Sequence, residues 1–507
     1  MAIAIKKWLN KLKQSTSEYI LTSFVLLRFL GFVYFFAFLS LATQVIPLIG
    51  ENGLLPAKSF LASFRFESQP AAFMHLPTIF WFYLSDNFLL ILAWIGVILS
   101  FILLIGYANG LMMLLLWFLY MSFVHIGQLW YSYGWEIQLL ETGFLAVFLC
   151  PFLDPRPFAK PPKAIIWLFR WLAFRIYLGA GLIKLRGDPC WKELTCLYDH
   201  YETQPIPNPL SPYFHYMPKW FHKLGVLWNH FVELIVPWFV FYPRIARYMA
   251  GILMISFQLI LISSGNLSFL NWLTIIPSIA CFDDNFFRKI LPKWLLNKSE
   301  KMHHKKLSRF YTLASIILLF VVAWLSIPVI QNLLSTRQIM NTSFNKLNLV
   351  NTYGAFGSVG DTRYELIIEG AAEEAISEKT QWKEYDFKAK PGNLYKTLPI
   401  IAPYQPRIDW QIWFAAMQRP EHNPWLLHMM WKLLDNDKET LSLLDNNPFP
   451  DKPPKYIRIQ FYKYEFAEPG NNEDKVWERT YIGQWLPPLS KSTQGFRDYL
   501  IAYGWES

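Results

Sequence analysis

Charge is what this sequence has least of. Asp, Glu, Lys and Arg make up 17% of its 507 residues, against about 25% in a soluble domain. That deficit excludes an ordinary water-exposed globule, and with it the simplest reading of the net charge of +10, a nucleic-acid partner. Cysteine is scarce too, with only Cys150, Cys190, Cys196 and Cys281, too few for a disulfide-stapled secreted scaffold. Also missing are a Walker loop, a dinucleotide fingerprint, a G-x-S-x-G elbow and an H-E-x-x-H helix. Gly354, Gly357 and Gly360 are evenly spaced but follow no strand-to-helix pattern, so they read as turn residues rather than a phosphate cradle. His200, Glu202, His215 and His222 are the remaining candidate metal donors, and their spacings match no compact site. Neither a metal nor a cofactor is expected.

What is present instead is apolar length. Hydrophobic residues form 53% of the chain and aromatics 18%. Apolar runs recur at Phe24–Leu41, Phe88–Ile105, Leu111–Val124, Gly143–Phe152, Ile165–Ile183, Phe231–Tyr242, Gly251–Ile262, Leu267–Ile279 and Tyr311–Val329. Several reach the roughly 20 residues needed to cross a bilayer, and the shorter ones extend through Trp and Tyr boundaries. The expectation is a polytopic α-helical membrane bundle of about nine crossings. Met1–Ser17 has no apolar core, so no cleavable signal peptide is expected, and no KDEL-type tetrapeptide ends the chain.

The basic residues supply the orientation. They cluster at Lys6–Lys13, at Arg156, Lys160 and Lys163, at Arg244 and Arg247, and across Arg288–Arg309. With a cytoplasmic N-terminus and alternating crossings, every cluster falls on the cytoplasmic side, as the positive-inside rule requires. Residues 46–86 and 185–222 then become exo-side loops. The division that follows is a membrane domain over residues 1–335, a linker over 336–345, and an exo-side domain over 346–507.

That last segment is polar and turn-rich. Tyr364–Ile368 and Lys455–Phe466 read as strands, the second with a phase slip at Phe461–Tyr462. Asp409–Met417 and Trp425–Leu434 have helical spacing. The reading is a β-rich, sandwich-like domain with a helical insertion.

Chemistry-bearing residues concentrate in Tyr177–Pro218. An apolar helix end gives way to Lys184, Arg186, Asp188 and Trp191, then Asp199, His200, Glu202, Gln204 and Asn208, with prolines at 205, 207, 209 and 212. Loops so rich in polar groups are where function concentrates. Inside the bundle, Arg28, Glu136, Glu141 and Arg175 are charges that must face the protein interior. Glu136 lies about 140° from Glu141 around a helix. These acids either neutralise Arg28, Arg170 or Arg175, or line a polar cavity beneath the loop. Lys184 either anchors at the interface, pairs with Glu136 or Glu141, or acts as a base in a partly desolvated pocket. Cys190 and Cys196 lie on the oxidising side, but residues six apart on one continuous helix are too distant to bridge. A disulfide between them requires an intervening turn, and both outcomes stay open.

Several stretches resemble the lipase maturation factor family. The run GLIKLRGDPCWKELTCLYDHYETQPIPNPLSPYFH is similar to its signature, VLLRFLGFVYFFAFL and IGENGLLPAKSFL to its opening, and LVNTYGAFG, WKEYDFKAKPG and APYQPRIDWQIWFAAM to its C-terminal domain. The resemblance implies a non-enzymatic protein of the endoplasmic reticulum membrane (the inner membrane in a bacterium). It would contact membrane lipids and a client exported protein, certain dimeric secreted lipases in the animal members. Client holding would fall to the exo-side loops, the proline ladder and the β domain. Ala180, Gly181, Lys184 and Leu185 also resemble a pattern in vitamin K-dependent γ-glutamyl carboxylase, whose lysine deprotonates a quinol. That second resemblance implies an alternative: a membrane enzyme with Lys184, His200 and Glu202 in its site, or a lipid- or quinone-binding protein.

Overall fold

A computed structural model describes residues 18–156, 158–301, 309–468, 470 and 474–505. The Lys6–Lys13 cluster, Lys305 and Lys306 lie outside the described residues.

Six helices are long and apolar enough to cross a membrane: Ile20–Ala42, Asp86–Ile105, Lys163–Arg186, Lys219–Phe241, Arg244–Ser264 and Tyr311–Leu334. Among the described residues these six, and not the expected nine, are found. Three of the apolar runs form shorter helices, Gly110–Ile126 of 17 residues, Gly134–Ala146 of 13 and Leu270–Ile279 of 10. At 1.5 Å per residue each falls short of a bilayer core of about 30 Å. Apolarity measured in sequence therefore overcounts, because a short helix buried against its neighbours is as apolar as one facing lipid. Leu273, Ile275 and Ile276 of the shortest are all buried. The long helices show the opposite on their outer faces, where Phe320 and Trp324 are 69% and 73% exposed.

Local chemistry sets the helix ends. Asn109 opens the helix Gly110–Ile126 by accepting the Met112 amide at 2.8 Å, as a capping Asn does. Gly106 ends the preceding helix at φ +136°, a conformation open to glycine. The helix Lys219–His230 passes into a π turn at Phe231–Ile235 before a 3₁₀ segment, which re-aims Glu233. Basic clusters do more than mark a side. Arg244 and Arg247 reach Asp283 at 2.9 and 3.2 Å, and the neighbouring Asp284 caps the first helix through the Ile20 and Leu21 amides at 3.0 and 2.8 Å.

The C-terminal part contains one antiparallel sheet in the order β2-β1-β3-β4. Its strands are β1 (Arg363–Ala371), β2 (Lys383–Glu384), β3 (Tyr456–Phe466) and β4 (Trp477–Leu489). Both strands read from the sequence are present. The register of β3 against β4 shifts between Phe461 and Tyr462, where the phase slip was read. Among the described residues no second packed sheet is formed, so the sandwich-like expectation is corrected. In its place the helices Arg407–Ala415 and Pro424–Leu433, both foreseen by their spacing, bury Trp410, Trp425 and Met429. One hydrophobic core is continuous from Tyr19 in the bundle to Leu500 in the C-terminal part.

Candidate functional site

The helix Lys163–Arg186 carries Lys184 to the junction between the bundle and the C-terminal part. There Lys184 is 4% exposed. Its Nζ donates to Asn229 Oδ1 at 2.9 Å and to both Glu233 oxygens at 2.7 and 2.8 Å. Asn229 Nδ2 also donates to Glu233 at 3.0 Å, and the Trp191 ring lies 4.9 Å from the ammonium. Of the alternatives open for Lys184, it thus pairs with an acid, and that acid is Glu233 rather than Glu136 or Glu141. Sequence spacing gave no hint of it, because the π turn brings Glu233 across from another helix.

The cluster opens onto a cavity of about 1180 Å³ between the loop that follows Arg186, the bundle and the C-terminal helices, lined also by His200, Gln138, Asn271, Phe356 and Trp410. His200 is buried, edge-on to Phe356 at 4.8 Å, and burial with Lys184 nearby lowers its pKa to about 4. Glu202 faces elsewhere, accepting the Phe466 amide at 2.7 Å, and burial raises its pKa. His215 lies 3.7 Å from Glu202, and His222 meets the carbonyls of His215 and Met217. Among the described residues no three His, Cys, Asp or Glu side chains gather where they could hold a metal ion. The suggested grouping of Lys184, His200 and Glu202 is therefore only partly formed.

The rest of the loop is structural. Residues 201–208 are all buried, while Pro209 and Pro212 are half-buried, so the proline ladder expected to hold a client is largely covered. The cause is Arg363 of β1, which donates to the carbonyls of Glu202 and Pro205 at 2.8 and 3.0 Å and also to that of Gln204. Gln204 Nε2 meets Ser211 Oγ at 3.1 Å and the Ser264 carbonyl at 2.8 Å. Asn208 caps the next turn through the Leu210 and Ser211 amides at 2.9 and 3.1 Å. Asp188 accepts the Cys190 amide at 2.9 Å, while Arg186 reaches Gln338 at 2.6 Å. Asp199 is half-buried, and its pKa is raised by burial. Trp191 donates to the Phe356 carbonyl at 2.8 Å.

Cys190 and Cys196 form a disulfide. The turn this requires is supplied by Leu194 at φ +62°, which ends the helix Cys190–Glu193. Cys150 and Cys281 are free and buried. The bridge closes a short loop, so Cys190→Ser is expected to cost about 2 kcal/mol. Thermal melting of the detergent-purified protein measures this.

Of the two acids expected to meet Arg28, Arg170 or Arg175, Glu141 does so and Glu136 does not. Glu141 pairs with Arg175 and accepts the Asn351 amide at 3.0 Å and the Tyr353 hydroxyl at 2.7 Å. Glu136 pairs instead with Arg407 of the C-terminal part at 2.8 Å, both side chains fully buried. Arg28 meets no acid among the described residues. It donates to the Gly106 carbonyl at 2.6 Å and lies over Phe24, so it closes a helix end.

These pairings fall within the stretches that resemble one family, and comparison with known proteins decides the point. Residues 21–289 match the lipase maturation factor transmembrane domain, and residues 349–487 the lipase maturation factor C-terminal domain. The chain belongs to the lipase maturation factor family. It is 47% identical to lipase maturation factor 1 of Homo sapiens, over 97% of this chain and 91% of the relative. It is 48% identical to lipase maturation factor 1 of Mus musculus, over 97% and 90%. Lipase maturation factor 2 of Rattus norvegicus is more distant, at 28% over 93% and 83%. No solved structure matches. As in the family model, a multi-pass membrane region precedes a distinct C-terminal region, and this is a membrane maturation factor.

A pH dependence follows from His200. Its folded pKa lies below that of an unfolded histidine, so the unfolded state binds more protons as the pH falls from about 6.5 to about 4. Stability is then lost on acidification through that window. Asp409 works in the opposite direction, since burial raises its pKa to about 6. The difference between wild type and His200→Gln isolates the histidine. The variant is expected to lose less stability than wild type between about pH 6.5 and 4, read as melting temperature against pH.

Proposed function

We propose that this protein assists the folding of exported proteins, secreted lipases among them, from the endoplasmic reticulum membrane, and does so without catalysis. The observation that carries the reading is the 47% identity, over 97% of the chain, to a protein named lipase maturation factor 1. The geometry at Lys184 supports the non-catalytic part. Its ammonium is held by three oxygens of Asn229 and Glu233, the arrangement of a buried ion pair rather than of a base awaiting a proton. An alternative centred on Lys184 chemistry has no observation in its favour.

In this reading the N-terminus is cytoplasmic, and the three shorter buried helices complete the traverse within the protein interior between the six long ones. The loop at 185–222 and the C-terminal sheet packed on it through Arg363 then lie together in the lumen, where the Cys190–Cys196 bridge suits an oxidising compartment. The client meets this lumenal side, and the exposed outer faces of the long helices meet membrane lipid. Expression in cells that lack their own maturation factor tests the function. Secretion of an active dimeric lipase is expected to return; unchanged secretion, with the protein correctly inserted, refutes the reading. Sidedness is tested separately through the exposed Ser358. Ser358→Cys is expected to react with an impermeant maleimide only after the lumenal face is opened.

A further inference from the structure

The cavity beside Lys184 is larger than the roughly 300–1,000 Å³ of ordinary small-molecule pockets, at about 1180 Å³. Some residues that line it also remain exposed, and these mark its mouth: Trp220 at 63%, Leu224 at 55%, Ile260 at 43% and Met417 at 57%. All are apolar, and Trp220, Leu224 and Ile260 belong to the membrane helices Lys219–Phe241 and Arg244–Ser264. This part of the mouth faces the hydrocarbon side, while exposed Ser132, Ser358 and Gln418 elsewhere on the lining open the cavity to water as well.

The interior chemistry narrows the occupant further. The Lys184–Glu233 pair neutralises itself, with Asn229 completing the set, so the cavity offers no free charge to an ionic head group. Two other buried polar side chains on its wall are unused. Asn271 is 3% exposed and His200 is 6% exposed, and neither side chain hydrogen-bonds to any described residue. A buried amide or imidazole left without a partner is costly. Both groups line the cavity, and each offers uncharged hydrogen bonding.

We propose that this cavity binds an uncharged membrane lipid, its hydroxyl or ester oxygens meeting Asn271 and His200 and its hydrocarbon body filling the space towards Trp220 and Ile260. Acylglycerols and sterols share that chemistry. Phospholipids and free fatty acids do not, because their head groups bring a charge the cavity does not balance.

Full-length protein in phosphatidylcholine nanodiscs is labelled in parallel with photoreactive diacylglycerol, sterol and phosphatidylcholine probes, and the attachment sites are mapped by mass spectrometry. Diacylglycerol or sterol is expected to label residues within 219–230 or 254–274, and an excess of the same unlabelled lipid to suppress the signal. Which of the two labels identifies the source. Asn271→Leu is expected to weaken that labelling about tenfold, the loss of roughly one hydrogen bond. Ala180→Phe, which fills the cavity wall, is expected to abolish it. Equal labelling by phosphatidylcholine at these residues overturns the proposal, as does neutral-lipid labelling that excess lipid does not suppress. Undiminished labelling in both variants, each melting as wild type does, overturns it as well. The mapping and competition on wild type decide the matter even where a variant fails to fold.

Discussion

Replacing Arg407 with alanine is expected to cost about 3–5 kcal/mol of stability, the penalty for stranding a buried charge. Arg407 and Glu136 are fully buried and 2.8 Å apart. The guanidinium also covers the Tyr131 ring at 3.5 Å and donates to the Trp130 carbonyl. Removing it leaves Glu136 inside the bundle with Tyr120 as its remaining hydrogen-bonding partner. The loss should reach both parts of the molecule, because Arg407 opens a C-terminal helix while Glu136 sits in the first turn of a membrane helix. Thermal unfolding in detergent, followed by tryptophan fluorescence, measures it. The double variant Arg407→Leu with Glu136→Leu is expected to recover most of the stability, since hydrophobic replacement of a whole buried pair is often neutral or stabilising. A double variant as unstable as the single would show that the pair matters through its shape rather than its charge.

The second large effect is expected at Glu233. Glu233→Leu leaves the Lys184 ammonium with Asn229 as its hydrogen-bond acceptor among the described residues, and again about 3–5 kcal/mol should be lost. Changing both partners, Lys184→Met with Glu233→Leu, removes the two charges together and should restore folding. This double variant is also a direct test of mechanism. A holding protein keeps its ability to mature a co-expressed lipase when the pair is replaced, whereas an enzyme that used Lys184 as a base would keep none. A double variant that inserts and melts like wild type but yields no active lipase would overturn the non-catalytic reading.

Much of the molecule was legible in one dimension because the signals are local. Apolar length marks a membrane helix, alternation marks a strand, and the slip at Phe461–Tyr462 marks a register shift, since each depends on residues close in sequence. The angle between Glu136 and Glu141 around their helix also follows from spacing alone, but the partner of Glu136, Arg407, does not. The long resemblance to the lipase maturation factor family was visible in the stretches that later proved to hold the two parts together, LVNTYGAFG through Asn351 and Tyr353 and APYQPRIDW through Arg407.

Tertiary structure alone decided the partners. Glu233 reaches Lys184 from 49 residues away, and Arg407 reaches Glu136 from 271. No periodicity carries information over such separations. Structure also decided which apolar runs are long helices, because burial against protein and burial against lipid select the same residues. The proline-rich loop shows the same division. Its composition reads as an exposed platform, yet the unpaired carbonyls of residues 202, 204 and 205 are what draw Arg363 down over it. A backbone acceptor in a membrane-side loop must find a donor somewhere, and where that donor comes from is settled only when the chain is folded.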